Sequence, residues 1–195
     1  MIRSATVPAR QRGMALITAM LLLIIITILA LSMFRSFGTQ EHVAGNLREK
    51  ERALHAAVAA QQYAEWWLLQ PGNAAAGSTA CGAQVLTVQP TVPAGQICNL
   101  PLEAQIGFDQ VLQPGLWSTR TEYQPAGMTL AIGDATNPPF FALPAFYIAD
   151  AGLAADAAGE AYQINAYGYG SAATTVAVIE SFYEVQQGVV NRGGL

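Results

Sequence analysis

Arg10-Gln11-Arg12-Gly13-Met14-Ala15-Leu16-Ile17 decides how the rest of the chain is read. A short basic leader closes on a glycine, and an uncharged apolar run opens at the next residue and continues to Phe34. An ordinary secretory signal has a shorter apolar core, and its cleavage site follows that core at small residues. Here the only processing-like position precedes the run, so a cut between Gly13 and Met14 would leave the hydrophobic segment on the mature chain. As helix the run is about 30 Å long, enough to cross a bilayer core. Thr18, Thr27 and Ser32 interrupt it mildly, since each hydroxyl can bond back to the preceding turn.

The charges are placed unevenly. Arg3, Arg10 and Arg12 precede the apolar run with no acid among them, while only Arg120 and Arg192 follow Arg52. By the positive-inside rule the leader stays cytoplasmic and the bulk of the chain crosses outward. No second run of this kind occurs, which predicts a single-pass topology. Charged residues are 11% and apolar residues 52% of the 195 residues, the composition of neither a disordered tail nor a nucleic-acid binder. The exported part is acidic, which also argues against binding a phosphate backbone. Cys81 and Cys98 both lie in that part. In an oxidising compartment they are expected to form one disulfide, the alternative being two free thiols. Closing a loop of that size would stabilise the fold by about 3 kcal/mol on the chain-entropy model.

No proline occurs between Met14 and Gln70, and Pro71-Gly72 then stops the pattern. Past the apolar run Val43, Leu47, Leu54, Val58 and Leu68 recur at helical spacing, with Ala57 and Ala64 on the same stripe. Arg48, Glu49, Lys50, Glu51 and Arg52 form a mixed-charge face. The reading is one nearly continuous helix of about 55 residues, weakened at Gly38 and Gly45-Asn46. Its first half needs lipid or other apolar helices, and its second half needs a domain packed on the stripe. The division expected is a leader over 1–13, a membrane or assembly half over 14–35, an amphipathic half over 36–70, and a globular domain over 71–195. Within that domain 72–96 reads as a loop-heavy connection. Short strands are expected around Gln84–Val88, Leu116–Tyr123 and Phe146–Ala149. The clearest sheet signal is a hairpin of Ala161–Gly170 and Thr174–Tyr183, turning through Gly168–Ala173. The tail from Gly188 to Leu195 is polar and glycine-rich. The fold class is therefore α+β, a long N-terminal helix packed on a C-terminal antiparallel sheet.

Basic leader, glycine and long apolar helix, in that order, resemble a type IV prepilin. The similarity is greatest to the PilX-type minor pilins. It rests on Gln11-Arg12-Gly13-Met14-Ala15-Leu16-Ile17, on Ala44-Gly45-Asn46-Leu47-Arg48, and on Ala53-Leu54-His55-Ala56-Ala57. The final strands, Tyr162-Gln163-Ile164 and Glu180-Ser181-Phe182-Tyr183, are similar more loosely, and the middle third carries no family signal. The resemblance implies cleavage by a prepilin peptidase after Gly13 and methylation of the new N-terminus, Met14. It implies that Leu16, Ile17, Thr18, Leu21, Leu22, Ile25 and Leu29 anchor the subunit in the inner membrane and then pack against neighbouring pilin helices. The implied partners are the major pilin, other minor pilins and a large tip adhesin, and the implied role is to help start assembly near the pilus tip. Most pilins carry glutamate at the fifth mature residue, where this chain has Thr18; PilX-type pilins and the tip pseudopilin of type II secretion commonly lack the acid too. A second departure is Val58, where the family segment often has glutamate. The rival readings are that pseudopilin, which usually has a larger head, and an uncleaved bitopic protein with a ligand-binding or enzymatic domain.

Catalysis, cofactors and nucleic acid find no support in the residues. His42 and His55 sit on the charged helix with no cysteine beside them, so solvated or interface roles fit better than metal ligation. Gly168-Tyr169-Gly170-Ser171 has the look of a phosphate loop but leads into a strand, so a hairpin turn is expected. Asp150, Asp156 and Glu160 could offer calcium oxygen ligands, but their spacing does not match the known loop motif. Of Trp66 and Trp67, adjacent on the helix, one is expected in the core and the other exposed or shared with a partner.

Overall fold

A computed structural model describes residues 12–89, 93–130, 140–154 and 159–186. The leader through Gln11, the Pro138-Pro139 turn, Asp156 and the tail from Gly188 lie outside the described residues. The chain divides into two compact units, Met1–Asn46 and Leu47–Leu195. Helix α1, Arg12–Leu68, contributes to both. In the first unit the helix carries the 21-residue apolar stretch Met14–Phe34, every side chain of which is exposed. This stretch is the one described segment long and apolar enough to cross a membrane. In the second unit the helix ends where the sequence breaks it. Gln70 N–H bonds Trp67 O at 3.1 Å, and Pro71 and the left-handed Gly72 (φ 90°) then turn the chain away.

Beyond α1 the described residues of the second unit form six strands and short helical turns. The strands are β1 (Val85–Thr87), β2 (Ile97–Cys98), β3 (Arg120–Glu122), β4 (Ala145–Leu153), β5 (Glu160–Tyr169) and β6 (Val176–Val185). Between β2 and β3 lie α2 (Leu102–Ile106), α3 (Phe108–Val111) and a 3₁₀ turn at Pro114–Leu116. The sheet order is β1-β3-β4-β5-β6, with β2 pairing on β4. The expected hairpin is β5–β6, paired without a break from Glu160↔Val185 to Tyr169↔Val176. The sheet is mixed rather than wholly antiparallel. Strands β3 to β6 are antiparallel, but β1 joins β3 and β2 joins β4 in parallel. Parallel pairing needs a crossover connection, and α2 and α3 lie in the one between β1 and β3.

Alternate residues of the central strands serve two cores, as the period of a strand requires. Phe146, Ile148, Tyr162, Ile164 and Ala166 face α1 and pack with Ala60, Ala64, Trp67 and Leu68. Ala145, Tyr147, Ala149, Tyr167 and Tyr169 face the other way, where Leu102, Trp117 and Cys98 cover them. The sheet is thus sandwiched between α1 and the α2–α3 segment. That second cover was not expected.

The buried stripe of α1 differs from the one the periodicity suggests. Leu68, Ala57 and Ala64 are buried as expected, but Val43, Leu47 and Leu54 are exposed (58%, 60% and 45%), and Val58 is only half-buried. The seam instead runs through Ala53, Ala56, Ala57, Ala60 and Ala64 to Trp67 and Leu68. The cause is the closeness of helix and sheet. A Cβ on Gly168 would stand 2.4 Å from Ala57 N, 2.5 Å from Ala53 O and 2.6 Å from the Ala56 methyl. Only a glycine opposite alanines permits that approach.

Candidate functional site: the first helix

Gly13 and Met14 are consecutive residues of the first turn of α1. After them Leu16, Ile17, Leu21, Leu22, Ile25 and Leu29 are 55–64% exposed. These six lie all around the helix rather than on one stripe, so no single face is reserved for a protein core. Thr18 does not disturb that surface. Its hydroxyl donates back to Met14 O and Ala15 O, both at 3.1 Å, and Thr27 does the same to Ile24 O at 2.8 Å. The hydroxyl proton is therefore used within the helix, and the helix offers no carboxylate at this position.

Further along, α1 grips the hairpin with charge. Glu49 accepts hydrogen bonds from both the N–H (2.8 Å) and the hydroxyl (2.6 Å) of Ser171, in the β5–β6 turn. Arg52 lies 3.2 Å from its other oxygen. The hydroxyl bond, then the backbone bond, then the Arg52 charge hold the Glu49 carboxyl below its ordinary value, against the opposing cost of burial. Lys50 Nζ donates to Val176 O at 3.1 Å, beyond the same turn. Gly168-Tyr169-Gly170-Ser171 thus binds a carboxylate of its own chain and forms the turn of a hairpin. Sequence reasoning missed this clamp. A mixed-charge helix face and a Gly-Ser turn are both visible in the sequence, but nothing local pairs them.

The remaining sequence-level candidates fall in separate places. Trp67 is buried, and Gly95 approaches so closely that a Cβ there would stand 2.6 Å from the indole. Trp66 is 45% exposed, beside the stacked pair Tyr63–Tyr123 in a hollow of about 540 Å3. Cys81 and Cys98 are joined as a disulfide, which ties the connection after α1 to β2. His42 and His55 are exposed. Asp150 accepts from Gly152 N–H and from the Ser78 hydroxyl, both at 2.8 Å, and Glu160 accepts from the Tyr162 hydroxyl at 2.6 Å. Both carboxylates are engaged within the domain. Among the described residues no three His, Cys, Asp or Glu side chains converge. Burial pushes the Tyr147 hydroxyl up to about 12, and it donates to Leu100 O at 2.7 Å, so it acts as a structural donor.

Comparison with the curated proteins and with solved structures found no match. Residues 12–65, a little over a quarter of the chain, match the family model described as PilX N-terminal. The matched span opens just before the glycine-to-apolar boundary and closes within the alanine seam. Over residues 12–65, then, the chain carries the N-terminal domain of the PilX-type pilins, a family of type IV pilus minor pilins.

Proposed function

We propose that this chain is a non-enzymatic minor pilin that helps prime assembly of a type IV pilus and sits near its tip. The observation that carries the reading is the match over residues 12–65 on a helix whose Met14–Phe34 side chains are all exposed. The peptidase removes the leader after Gly13, Met14 is methylated, and the apolar half holds the subunit in the inner membrane with its domain outside. On assembly the same side chains exchange lipid for neighbouring pilin helices. Both surroundings are apolar, so the transfer need not expose the segment to water. Its partners are the major pilin, other minor pilins and a large tip adhesin. Mass spectrometry of the mature N-terminus tests the processing step. A chain that begins at methylated Met14 only in cells with their prepilin peptidase is the expected result, and a chain beginning at Met1 in both strains overturns it.

Thr18 supports the terminal position. A carboxylate there would offset the buried N-terminal ammonium of a neighbouring subunit, and removing one partner of such a pair is costly. Thr18 supplies no negative charge, and its hydroxyl bonds its own helix. Such a subunit is suited to a place with few or no pilins above it. On this reading Thr18→Glu changes the ratio of this protein to the major pilin in purified fibres, and an unchanged ratio counts against it.

A further inference from the structure

The two edges of the sheet are unlike. At one edge β1 has three residues, too few to template another chain. At the other, β6 runs for ten residues, paired to β5 with no register shift. Its sequence, Val176-Ala177-Val178-Ile179-Glu180-Ser181-Phe182-Tyr183-Glu184-Val185, has no proline, lysine or arginine. Natural edges are usually blunted by such residues, by bulges or by short length.

The phase of the ladder identifies the backbone groups that point outward. Gly170 N–H bonds Thr175 O at 2.8 Å, so Thr175 and every second residue after it face β5. Val176, Val178, Glu180, Phe182 and Glu184 then turn their N–H and C=O groups away from the sheet. Lys50 takes the Val176 carbonyl. Among the described residues nothing pairs with the outward groups of the next four. The side chains of these residues share the face of the sheet opposite α1, with Phe182 68% exposed and Glu180 and Glu184 on either side of it.

We propose that the free edge of β6, from Val178 to Glu184, docks an extended segment of another protein as an added strand. The segment would carry Lys or Arg at alternate positions around one apolar residue. The backbone ladder requires an extended chain, and the Glu-x-Phe-x-Glu face selects its side chains, because directly opposed strand residues of opposite charge attract and like charges repel. The same glutamates argue against a second copy of this chain. Antiparallel β6–β6 pairing centred on Phe182 would set Glu180 against Glu184 twice, so the edge rejects itself while accepting a cationic strand. This inference does not depend on the pilus reading.

The test is residue-resolved hydrogen exchange on the full chain in detergent micelles, with the peptide TKTVTKT and its acidic counterpart TETVTET as probes. Expected are fast exchange at the amides of Val178, Glu180, Phe182 and Glu184 in the free chain and protection of these four by the basic peptide. The basic peptide should bind about tenfold more tightly than the acidic one. The Glu184 carboxylate makes no hydrogen bond or ion pair among the described residues, so Glu184→Lys should leave the fold intact and erase most of that preference. Three results would each overturn the proposal. They are slow exchange at these amides before peptide is added, no protection at millimolar basic peptide, and equal protection by the two peptides.

Discussion

The two halves of α1 are apolar in different ways. From Met14 to Phe34 most of the apolar side chains are large, every one is exposed, and they surround the helix. From Ala53 to Leu68 the buried positions are mostly alanine, while the larger Leu54 stays 45% exposed. A surface that meets lipid or a changing set of neighbouring helices benefits from bulk in every direction, since no fixed counter-surface has to be matched. A surface that meets one sheet, permanently, is shaped by that sheet, and here the sheet at Gly168 comes close enough to leave room only for the methyl groups of the alanines opposite it. On the proposed reading hydrophobicity serves solvation in the first half, whereas in the second it serves fit. The contrast predicts opposite responses to changes in side-chain size.

The largest effect is expected where the fit is tightest. Gly168→Ala would place a methyl group under 3 Å from Ala57 N and Ala53 O, which are backbone atoms and cannot swing aside. Overpacking of this kind costs about 3 kcal/mol or more, because the helix must lift from the sheet along the whole seam. Urea denaturation of the domain, followed by tryptophan fluorescence, measures it. An unchanged midpoint would mean that the seam has slack and that the contrast between the halves is one of composition only. Next comes the staple on the opposite face of the sheet. Replacing Cys81 and Cys98 by serine should lower stability by about 3 kcal/mol on the loop-entropy account, with loosening at β2 and at the Leu102 and Trp117 cover rather than along α1.

How much of this arrangement could be read beforehand follows from how local its causes are. The extent of the long helix to its C-terminal end was legible because proline is absent to Gln70 and Pro71-Gly72 then stops the pattern. The β5–β6 hairpin was legible from two β-rich runs around a glycine-serine turn. The buried face of α1 was not. Val43, Leu47 and Leu54 form the stronger apolar stripe, and the reason the alanines win, Gly168, lies in a strand more than a hundred residues away. Helices α2 and α3 have five and four residues, too short for any periodicity to register, and β2 has two. The clamp of Glu49 on Ser171 spans 122 residues and left no local trace. For the apolar half of α1, composition alone was enough to mark a stretch long and apolar enough to cross a membrane, whose side chains are all exposed among the described residues.

A smaller and pH-dependent effect is expected at Glu49. Its folded-state pKa lies below the ordinary value near 4.5, chiefly because Ser171 donates two hydrogen bonds to the carboxylate. A depressed pKa of this kind adds stability above the unfolded-state value, and that stability is lost as pH falls through the folded-state value. Glu49→Gln should therefore cost about 1 kcal/mol at neutral pH, the group being partly solvent-screened, and almost nothing in acid once the native carboxylate is protonated. Urea midpoints of the native and Glu49→Gln chains at pH 7 and in acid would converge. A constant gap would assign the effect to packing rather than charge.

The smallest effects should sit on the large side chains themselves. Leu22→Ala and Leu54→Ala each remove a bulky apolar group that the chain leaves in the open, so each should change the unfolding of the domain by less than about 0.5 kcal/mol. Ala57→Leu adds the same kind of group on the covered side and should destabilise it by about 2 kcal/mol. The usual order, in which losing a leucine matters more than gaining one, is then reversed along a single helix. A large loss for Leu54→Ala would put that side chain in a contact within the domain and return the seam to the stripe that the periodicity favours. If the domain is indifferent to Leu54, its apolar surface is free to be covered by something other than the chain's own sheet.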